Sequence, residues 1–342
     1  MKALFLIPLF WGFIYSLPIF SKEVKKGCSK CHYFPPQLNR EGYIFKYEGT
    51  RTQFMKFLLP ETKFSLRLKF FPFMWIKNED ESKLSFSLPE EIILYITPRS
   101  SSLLAGRIGL RLVKDGKIRG ENLFLDLIPL AKNGINLRLG RFSPFDFSFS
   151  PSRCITKTPY SIYTIPLLSG REMCDVKNGF GIYGFKNVFY NLFVYLDEEG
   201  EKSADYSIRV GGFFQKLMFS LLFFGGKDGV SHDTVAFIMW GGESGVEFKG
   251  TYLKGLYIYG RKKFIGGDEN FNGGFLEISH LFNKKIAGIR YDFESGDVRG
   301  LSRVILFANI PFYQGNFISL EYLFDLLNKK ISKFILGFEF NF

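Results

Sequence analysis

Apolar and polar residues alternate with a period of two along most of this chain. Ile289, Tyr291 and Phe293 are apolar, and the charged residues Arg290 and Asp292 stand between them. Successive side chains of a β-strand point to opposite faces, so this alternation predicts strands with one apolar and one polar face. The same pattern recurs in two other places, with Tyr206, Ile208 and Val210 around Arg209 and with Leu320 and Tyr322 around Glu321. From about residue 63 onward, segments of roughly 9 to 12 residues with this pattern are separated by short polar or glycine-rich turns, which predicts an all-β chain.

The C-terminal segment distinguishes between the two all-β architectures that alternation allows. A soluble sandwich would turn its charged face to water, whereas a transmembrane barrel would turn its apolar face to lipid and its charges to the lumen. Apolar residues occupy every second position up to a terminal aromatic residue: Phe334, Leu336, Phe338, Phe340 and Phe342. This ending resembles the terminal-strand signal by which the outer-membrane assembly machinery recognises its substrates. The sequence therefore predicts a transmembrane outer-membrane β-barrel over residues 61–342.

The segments can be counted as sixteen or seventeen strands, because counts from the two ends disagree between Gly225 and Gly260. Bacterial single-chain barrels have an even number of strands, so we expect about sixteen, all antiparallel. Counting from the N-terminus places the long stretch from Ser143 to Val176 on the outer side of the membrane.

The composition agrees with a β-protein that shows aromatic side chains to lipid. The 342 residues are 46% hydrophobic and 18% aromatic, with 42 Phe and 35 Gly. Past the N-terminal segment there is no run of about 18 apolar residues, which excludes a helical membrane protein. Residues 1–21 have a basic start, a long apolar run and a small residue, Ser21, ahead of Lys22, which is typical of a cleaved secretory signal peptide. We therefore expect the mature chain in the bacterial cell outer membrane, in contact with outer-membrane lipid.

The five residues from 28 to 32 carry the most specific chemical signal in the sequence. Cys28, Cys31 and His32 form the Cys-x-x-Cys-His sequence to which c-type haem is attached. In a helical turn the three side chains share one face, so the two thiols can bond the porphyrin while the imidazole ligates the iron. A redox-active cysteine pair would belong near a βαβ pattern, which this chain lacks. Zinc would need further ligands at close spacing, and a chance match with an unmodified or disulfide-bonded pair is the remaining alternative.

Residues 22–60, between the signal peptide and the barrel, are too few for a cytochrome domain with its own core. We expect a short N-terminal plug that carries one covalent haem c and packs against the barrel wall. The segment is basic, so charged residues of the lumen could hold it in place. His32 is the expected proximal ligand of the haem iron. Met55 is the candidate distal ligand, although plain packing or a weak or absent distal ligand fits its surroundings as well.

The chain that follows the two cysteines carries a resemblance to a known family. Its matching residues are His32, Pro36, the pair Leu38-Asn39, Gly42 and the pair Phe45-Lys46. This order resembles the fused monohaem cytochrome-porins of the bacterial outer membrane. The iron oxidases of that family hold one haem c in a porin-type barrel. The resemblance therefore implies an extracellular electron donor, most readily Fe²⁺, and a periplasmic electron carrier, a cytochrome c or a similar protein.

Two further cysteines, Cys154 and Cys174, lie in the long outer stretch. An exported protein meets an oxidising compartment, so we expect them to form a disulfide that holds an outer loop in shape, with two free thiols as the alternative. The net charge is +12. A signal peptide and a barrel make nucleic acid a poor partner, and the charge fits lipid phosphates, organic anions or an acidic periplasmic cytochrome better.

Three functions remain open from the sequence. The first is outer-membrane electron transfer through the haem, by an electron-transfer protein or an iron oxidase, with the direction of electron flow undetermined. The second is a porin that passes small solutes, with the haem segment as a structural plug or gate. The third is a haem sensor or storage protein. Conductance would favour the second function, and ligand binding at an open iron site would favour the third.

Overall fold

The structure is a computed structural model. It describes residues 32–34, 37–47, 61–77, 82–99, 104–113, 118–127, 134–149, 156, 158–165, 172–196, 204–230, 233–264, 267–297, 300–313, 316–327 and 332–341. An N-terminal hairpin of β1 (His32–Phe34) and β2 (Gln37–Leu38) precedes α1 (Arg40–Tyr47). The strands that follow are β3 (Glu61–Lys77), β4 (Ser82–Arg99), β5 (Leu104–Val113), β6 (Ile118–Leu127), β7 (Asn136–Phe142), β8 (Lys177–Phe185), β9 (Phe189–Leu196), β10 (Ala204–Phe214), β11 (Leu217–Val230), β12 (Asp233–Phe248), β13 (Thr251–Phe264), β14 (Gly267–Phe282), β15 (Lys285–Gly296), β16 (Leu301–Tyr313), β17 (Asn316–Asp325) and β18 (Ser332–Asn341).

In the described chain, the sixteen strands β3 to β18 form one closed antiparallel barrel. Each strand pairs with its neighbour in sequence, and β18 closes the barrel by pairing with β3 from Ser332↔Lys77 to Asn341↔Arg67. Closure leaves no unpaired strand edge in the lipid. The all-β fold and the expected sixteen strands are thus confirmed.

The three alternating segments have their charged side chains inside the barrel and their apolar side chains outside. On β15, Arg290 and Asp292 are fully buried, while Ile289 and Tyr291 are 42% and 38% exposed. The other two alternating segments follow the same rule: Arg209 and Glu321 are buried, and Tyr206, Ile208, Val210 and Tyr322 are exposed. This is the arrangement of a transmembrane barrel and the reverse of a soluble sandwich.

The connections identify the two ends of the barrel. The end at which β3 begins and β18 ends carries short turns, among them 215–216, 249–250 and 283–284. The opposite end carries the longest connection, between β7 and β8, over residues 143–176. Outer-membrane barrels have short periplasmic turns and longer extracellular loops. We therefore call the first end periplasmic and the second end extracellular, as expected for the stretch from Ser143 to Val176.

Two glycine pairs explain why the strand count was ambiguous between Gly225 and Gly260. Gly225-Gly226 and Gly241-Gly242 lie inside β11 and β12, which are 14 and 16 residues long. A Cβ on Gly226 would lie 1.8 Å from Asp205 Oδ1, and one on Gly241 would lie 2.1 Å from the Tyr257 carbonyl oxygen. These glycines therefore permit close approach of a neighbouring strand and do not mark turns.

No helix among the described residues is long and apolar enough to cross a membrane.

Candidate functional site in the barrel lumen

The helix α1 begins at a capped N-terminus. The Asn39 side-chain oxygen accepts a hydrogen bond from the Gly42 backbone N–H at 2.9 Å, and the Asn39 carbonyl accepts one from Tyr43 N–H at 3.0 Å. Glu41 in the first turn and Lys46 in the last turn both suit the helix dipole. Two of the residues that carry the resemblance to the cytochrome-porins thus have structural roles in α1. Asn39 caps the helix, and Gly42 donates the hydrogen bond that the cap accepts.

Two tyrosines on one face of α1 attach the helix to the inside of the barrel. Tyr43 and Tyr47 are both buried, and they are four residues apart, so they share a helix face. The Tyr47 hydroxyl accepts a hydrogen bond from the Arg209 guanidinium of β10. The Tyr47 carbonyl accepts one from Asn136 Nδ2 of β7 at 2.8 Å. Burial raises the pKa of the Tyr47 hydroxyl, so the hydroxyl stays protonated at neutral pH.

The long connection between β7 and β8 turns into the lumen. We call residues 143–149, 156 and 158–165 of this connection the inward loop. Phe145, Phe147, Phe149 and Tyr163 of this loop are all buried. Phe147 lies against Tyr47 with 4.8 Å between ring centroids, so the loop also contacts α1. The Lys46 ammonium reinforces this contact by donating to the Asp146 carbonyl oxygen.

Three buried carboxylates on the barrel wall hold the inward loop. Glu243 of β12 accepts hydrogen bonds from Ser148 Oγ at 2.5 Å and from Phe149 N–H at 3.1 Å. Glu277 of β14 accepts one from the Tyr160 hydroxyl at 3.2 Å. Glu321 of β17 accepts two from Thr158, through its backbone N–H and its hydroxyl, both at 3.0 Å. Hydrogen bonds to a charged acceptor contribute about 1.5–3 kcal/mol each, so the loop is firmly attached across the lumen.

Wall cations pair with Glu243 and Glu277, and another wall cation, Arg290, adds contacts to the loop. Arg209 pairs with Glu243, and Lys254 Nζ lies 3.0 Å from Glu277 Oε1. Arg290 Nη2 donates to the Thr158 carbonyl at 3.0 Å and to the Pro159 carbonyl at 3.1 Å. Buried charges are tolerated only when they are paired and hydrogen-bonded, and these pairs meet that condition.

Aromatic side chains fill the lumen between the loop, α1 and the wall from β7 to β14. Stacked rings join Tyr47 to Phe189 at 5.0 Å and Tyr160 to Phe275 at 4.0 Å between centroids. The buried apolar cluster includes Tyr43, Phe142, Phe145, Phe147, Phe149, Tyr163, Tyr183, Phe193, Tyr195, Phe224, Phe237 and Phe271. This sector of the lumen is packed like a protein core and leaves little room for a free solute.

The residues expected to bind haem fall mostly outside the described ranges. His32 is the first residue of β1, and Cys28, Cys31 and Met55 lie outside the described residues. Cys154 also lies outside them. Cys174 lies in the turn before β8, where its carbonyl accepts a hydrogen bond from Ser143 Oγ at 2.7 Å. The haem ligands and the disulfide therefore remain predictions.

Tyr33, which follows His32, shows where β1 lies in the barrel. The Tyr33 ring is 5.2 Å from the Tyr252 ring of β13 and belongs to a cluster with Ile286 and Phe307. Tyr252 and Ile286 follow the turns 249–250 and 283–284, so β1 lies near the periplasmic end of the barrel. Within the ranges described, no three His, Cys, Asp or Glu side chains are grouped so that they could hold a metal ion.

Sequence reasoning missed the inward loop and its three carboxylate partners. The expected role of the stretch from Ser143 to Val176 was an outer loop, and its described part instead crosses the lumen. The alternation of Phe145, Phe147 and Phe149 was a signal, because exposed loops rarely repeat a large apolar residue in this way.

No protein-family model matches the chain, and no curated protein matches its sequence. Solved structures do match. OmpT of Vibrio cholerae with loop L8 deleted is 10% identical with a TM-score of 0.65, over 83% of this chain and 100% of that chain. An anion-selective porin from Comamonas acidovorans is 14% identical with a TM-score of 0.63, over 82% and 100%. OmpF of Salmonella typhi, in complex with daunomycin, is 10% identical with a TM-score of 0.64, over 83% and 98%.

The chain has the porin-like fold of outer-membrane barrels. This fold and the exposed apolar side chains on the outside of the barrel place the protein in the bacterial outer membrane.

Proposed function

We propose that this barrel carries one covalent haem c near its periplasmic end and transfers single electrons across the outer membrane. The observation that carries the proposal is the attachment of the chain after His32 to the lumen, through Tyr33 on Tyr252 and through Tyr47 on Arg209. A segment held in this way would keep an attached cofactor at a fixed place in the barrel. The porin-like fold is common to this proposal and to a channel.

The residues available near the motif fit a c-type haem. Cys28 and Cys31 supply two thiols, and His32 supplies an imidazole, which is the donor set that this cofactor uses. The surroundings of β1 are apolar, since Tyr33 packs against the buried side chains of Tyr252, Ile286 and Phe307. Haem c supplies a one-electron carrier whose potential depends on its axial ligands and burial.

Ferrous iron outside the cell is the electron donor that we propose. Each Fe²⁺ would lose one electron to become Fe³⁺, and that electron would pass to a periplasmic carrier. The cytochrome-porin resemblance supports this direction. Met55 stays the candidate distal ligand, and Met55→Ala should lower the midpoint potential if Met55 ligates the iron.

A lysine rim at the periplasmic end suits an acidic electron carrier. Lysines occur in or beside four successive periplasmic turns along β8 to β15, and all are exposed: Lys186, Lys216, Lys249, Lys284 and Lys285. Lys249 and Lys284 have positive φ angles of 49° and 70°, which residues other than glycine seldom adopt. Lys216 forms an exposed ion pair with Glu247, so the rim has an excess of positive charge, and such an excess steers an acidic partner and speeds its association.

A channel for small solutes is the second candidate, because the fold is porin-like. In that function the N-terminal segment would act as a plug or gate. The packed sector from β7 to β14 argues against free diffusion through that part of the lumen.

Haem content and conductance separate the two candidates. Protein produced with c-type maturation machinery should stain for haem on a denaturing gel and exceed the processed chain by the mass of one haem. Cys28→Ala and Cys31→Ala should remove most of the stain, and His32→Ala should abolish reduction by Fe²⁺. A colourless protein with stable open-channel conductance would reject the electron-transfer proposal in favour of the channel.

A further inference from the structure

A recess on the outer surface of the barrel is not explained by electron transfer or by a channel. It lies across β10 to β13, close to their extracellular ends, and has a volume of about 490 Å³. Small residues, Ala204 and Ala236, form its floor, and Tyr206 and Ile238 form part of its walls. All four side chains belong to the exposed, lipid-facing set of their strands.

Basic side chains line the extracellular side of this recess. Lys227 pairs in register with Ala236, and Ala236 pairs with Lys263, so the two lysines flank one small residue on adjacent strands. Arg261 lies two residues from Lys263 on the same face. Its guanidinium forms an exposed ion pair with Asp268. Three cations against one carboxylate leave two positive charges in excess at this place.

Aromatic side chains lie directly below the basic residues. Phe223, Trp240 and Tyr259 form one register row, four residues further toward the middle of each strand than the row of Lys227, Ala236 and Lys263. The Trp240 and Tyr259 rings are 5.7 Å apart, and the Tyr206 and Phe223 rings are 5.6 Å apart. Aromatic girdles mark the two membrane interfaces of outer-membrane barrels. Because a strand rises about 3.3 Å per residue, Lys227 and Lys263 stand about 13 Å along their strands from this girdle and Arg261 about 7 Å, at headgroup level.

The order of the strand connections shows which leaflet of the outer membrane the recess faces. β10 and β12 begin, and β11 and β13 end, at the end of the barrel that carries the connection of residues 143–176. That end is extracellular, so the recess faces the outer leaflet.

We propose that this recess, formed by Ala204, Tyr206, Lys227, Ala236, Arg261 and Lys263, binds a phosphorylated lipid of the outer leaflet. Its phosphate would accept hydrogen bonds from the Lys227 and Lys263 ammonium groups. Its acyl chains would lie along Tyr206, Ile238 and the aromatic row beneath. Clustered basic side chains beside an apolar surface are the general basis of lipid headgroup recognition by membrane proteins. The excess positive charge selects an anionic headgroup over a zwitterionic one.

The test uses the full-length barrel in detergent micelles and diphosphoryl lipid A as the probe. Trp240 stands beside the recess, so its emission in a Trp75→Phe background reports occupancy. The double variant Lys227→Gln/Lys263→Gln should weaken lipid A binding about tenfold or more, since each basic residue near a membrane surface contributes a factor of about five. The matched control, Lys216→Gln/Lys249→Gln, removes two lysines near the periplasmic ends of the same strands and should change the dissociation constant less than twofold. Unheated gel migration of each variant verifies that the barrel is folded.

Phosphatidylcholine and inorganic phosphate are tested separately as competitors. The proposal requires that neither competes with lipid A at equal concentration. Competition by inorganic phosphate alone would show a simple anion site and overturn the lipid assignment. Equal binding by the parent and the Lys227→Gln/Lys263→Gln variant, or an equal loss in the control variant, would overturn the proposal as a whole.

Discussion

Replacing Arg209 by Met tests whether buried ion pairs hold the contents of the lumen. The Arg209 guanidinium pairs with Glu243, whose side chain has no exposed surface. The variant keeps an unbranched apolar side chain and leaves the Glu243 carboxylate without its cation. Removing one partner of a buried pair costs about 3–5 kcal/mol. We expect the free energy of unfolding to fall by about 3 kcal/mol, the lower end of that range. The reason is that Ser148 Oγ, Phe149 N–H and Ser220 Oγ still donate to the Glu243 carboxylate.

Urea unfolding of the detergent-folded barrel, followed by gel mobility without heating, measures this loss. Lys216→Met is the control, because Lys216 forms an exposed ion pair with Glu247, and such pairs contribute about 0–1 kcal/mol. The double variant Arg209→Met/Glu243→Gln should be more stable than Arg209→Met alone, since no uncompensated charge stays buried. Equal stabilities of Arg209→Met and Lys216→Met would refute the argument.

The remaining predictions concern three other parts of the chain. Deleting Phe342 should reduce the amount of folded barrel in the outer membrane, measured by heat-modifiable migration, if the terminal aromatic residue is the assembly signal. Asn39→Ala should destabilise α1 by about 1 kcal/mol through loss of the N-cap, seen as faster proteolysis of the N-terminal segment, whereas Asn39→Asp should be near neutral. Non-reducing mass spectrometry should find Cys154 and Cys174 in one disulfide-linked peptide pair, and two separately alkylated cysteines would contradict that expectation.

The barrel could be predicted from sequence because its determinants are local. Alternation of Arg290 with Ile289 and Tyr291 sets the two faces of a strand regardless of what the strand pairs with. Strand boundaries were harder to predict where glycines lie within strands. Gly226 and Gly241 look like turn residues in the sequence, and only the packed sheet shows that Asp205 and the Tyr257 backbone occupy the space of a side chain.

The filled lumen could not be predicted because it depends on contacts between residues far apart in the chain. Phe149 and Glu243 are 94 positions apart, and Tyr160 and Glu277 are 117 apart. No periodic pattern relates such positions, so the sequence indicates buried charges without their partners. The motif of Cys28, Cys31 and His32 is the opposite case, because its chemistry is contained in five consecutive residues.

Electron transfer into sealed proteoliposomes tests the central proposal most directly. The barrel, produced with c-type maturation machinery, is reconstituted with an encapsulated electron acceptor, and Fe²⁺ is added outside at mildly acidic pH, where its oxidation by air is slow. Our account predicts a reduced c-type absorbance spectrum, reduction of the internal acceptor, and negligible ion conductance across the same membranes. A colourless barrel that conducts ions and leaves the acceptor oxidised would contradict it.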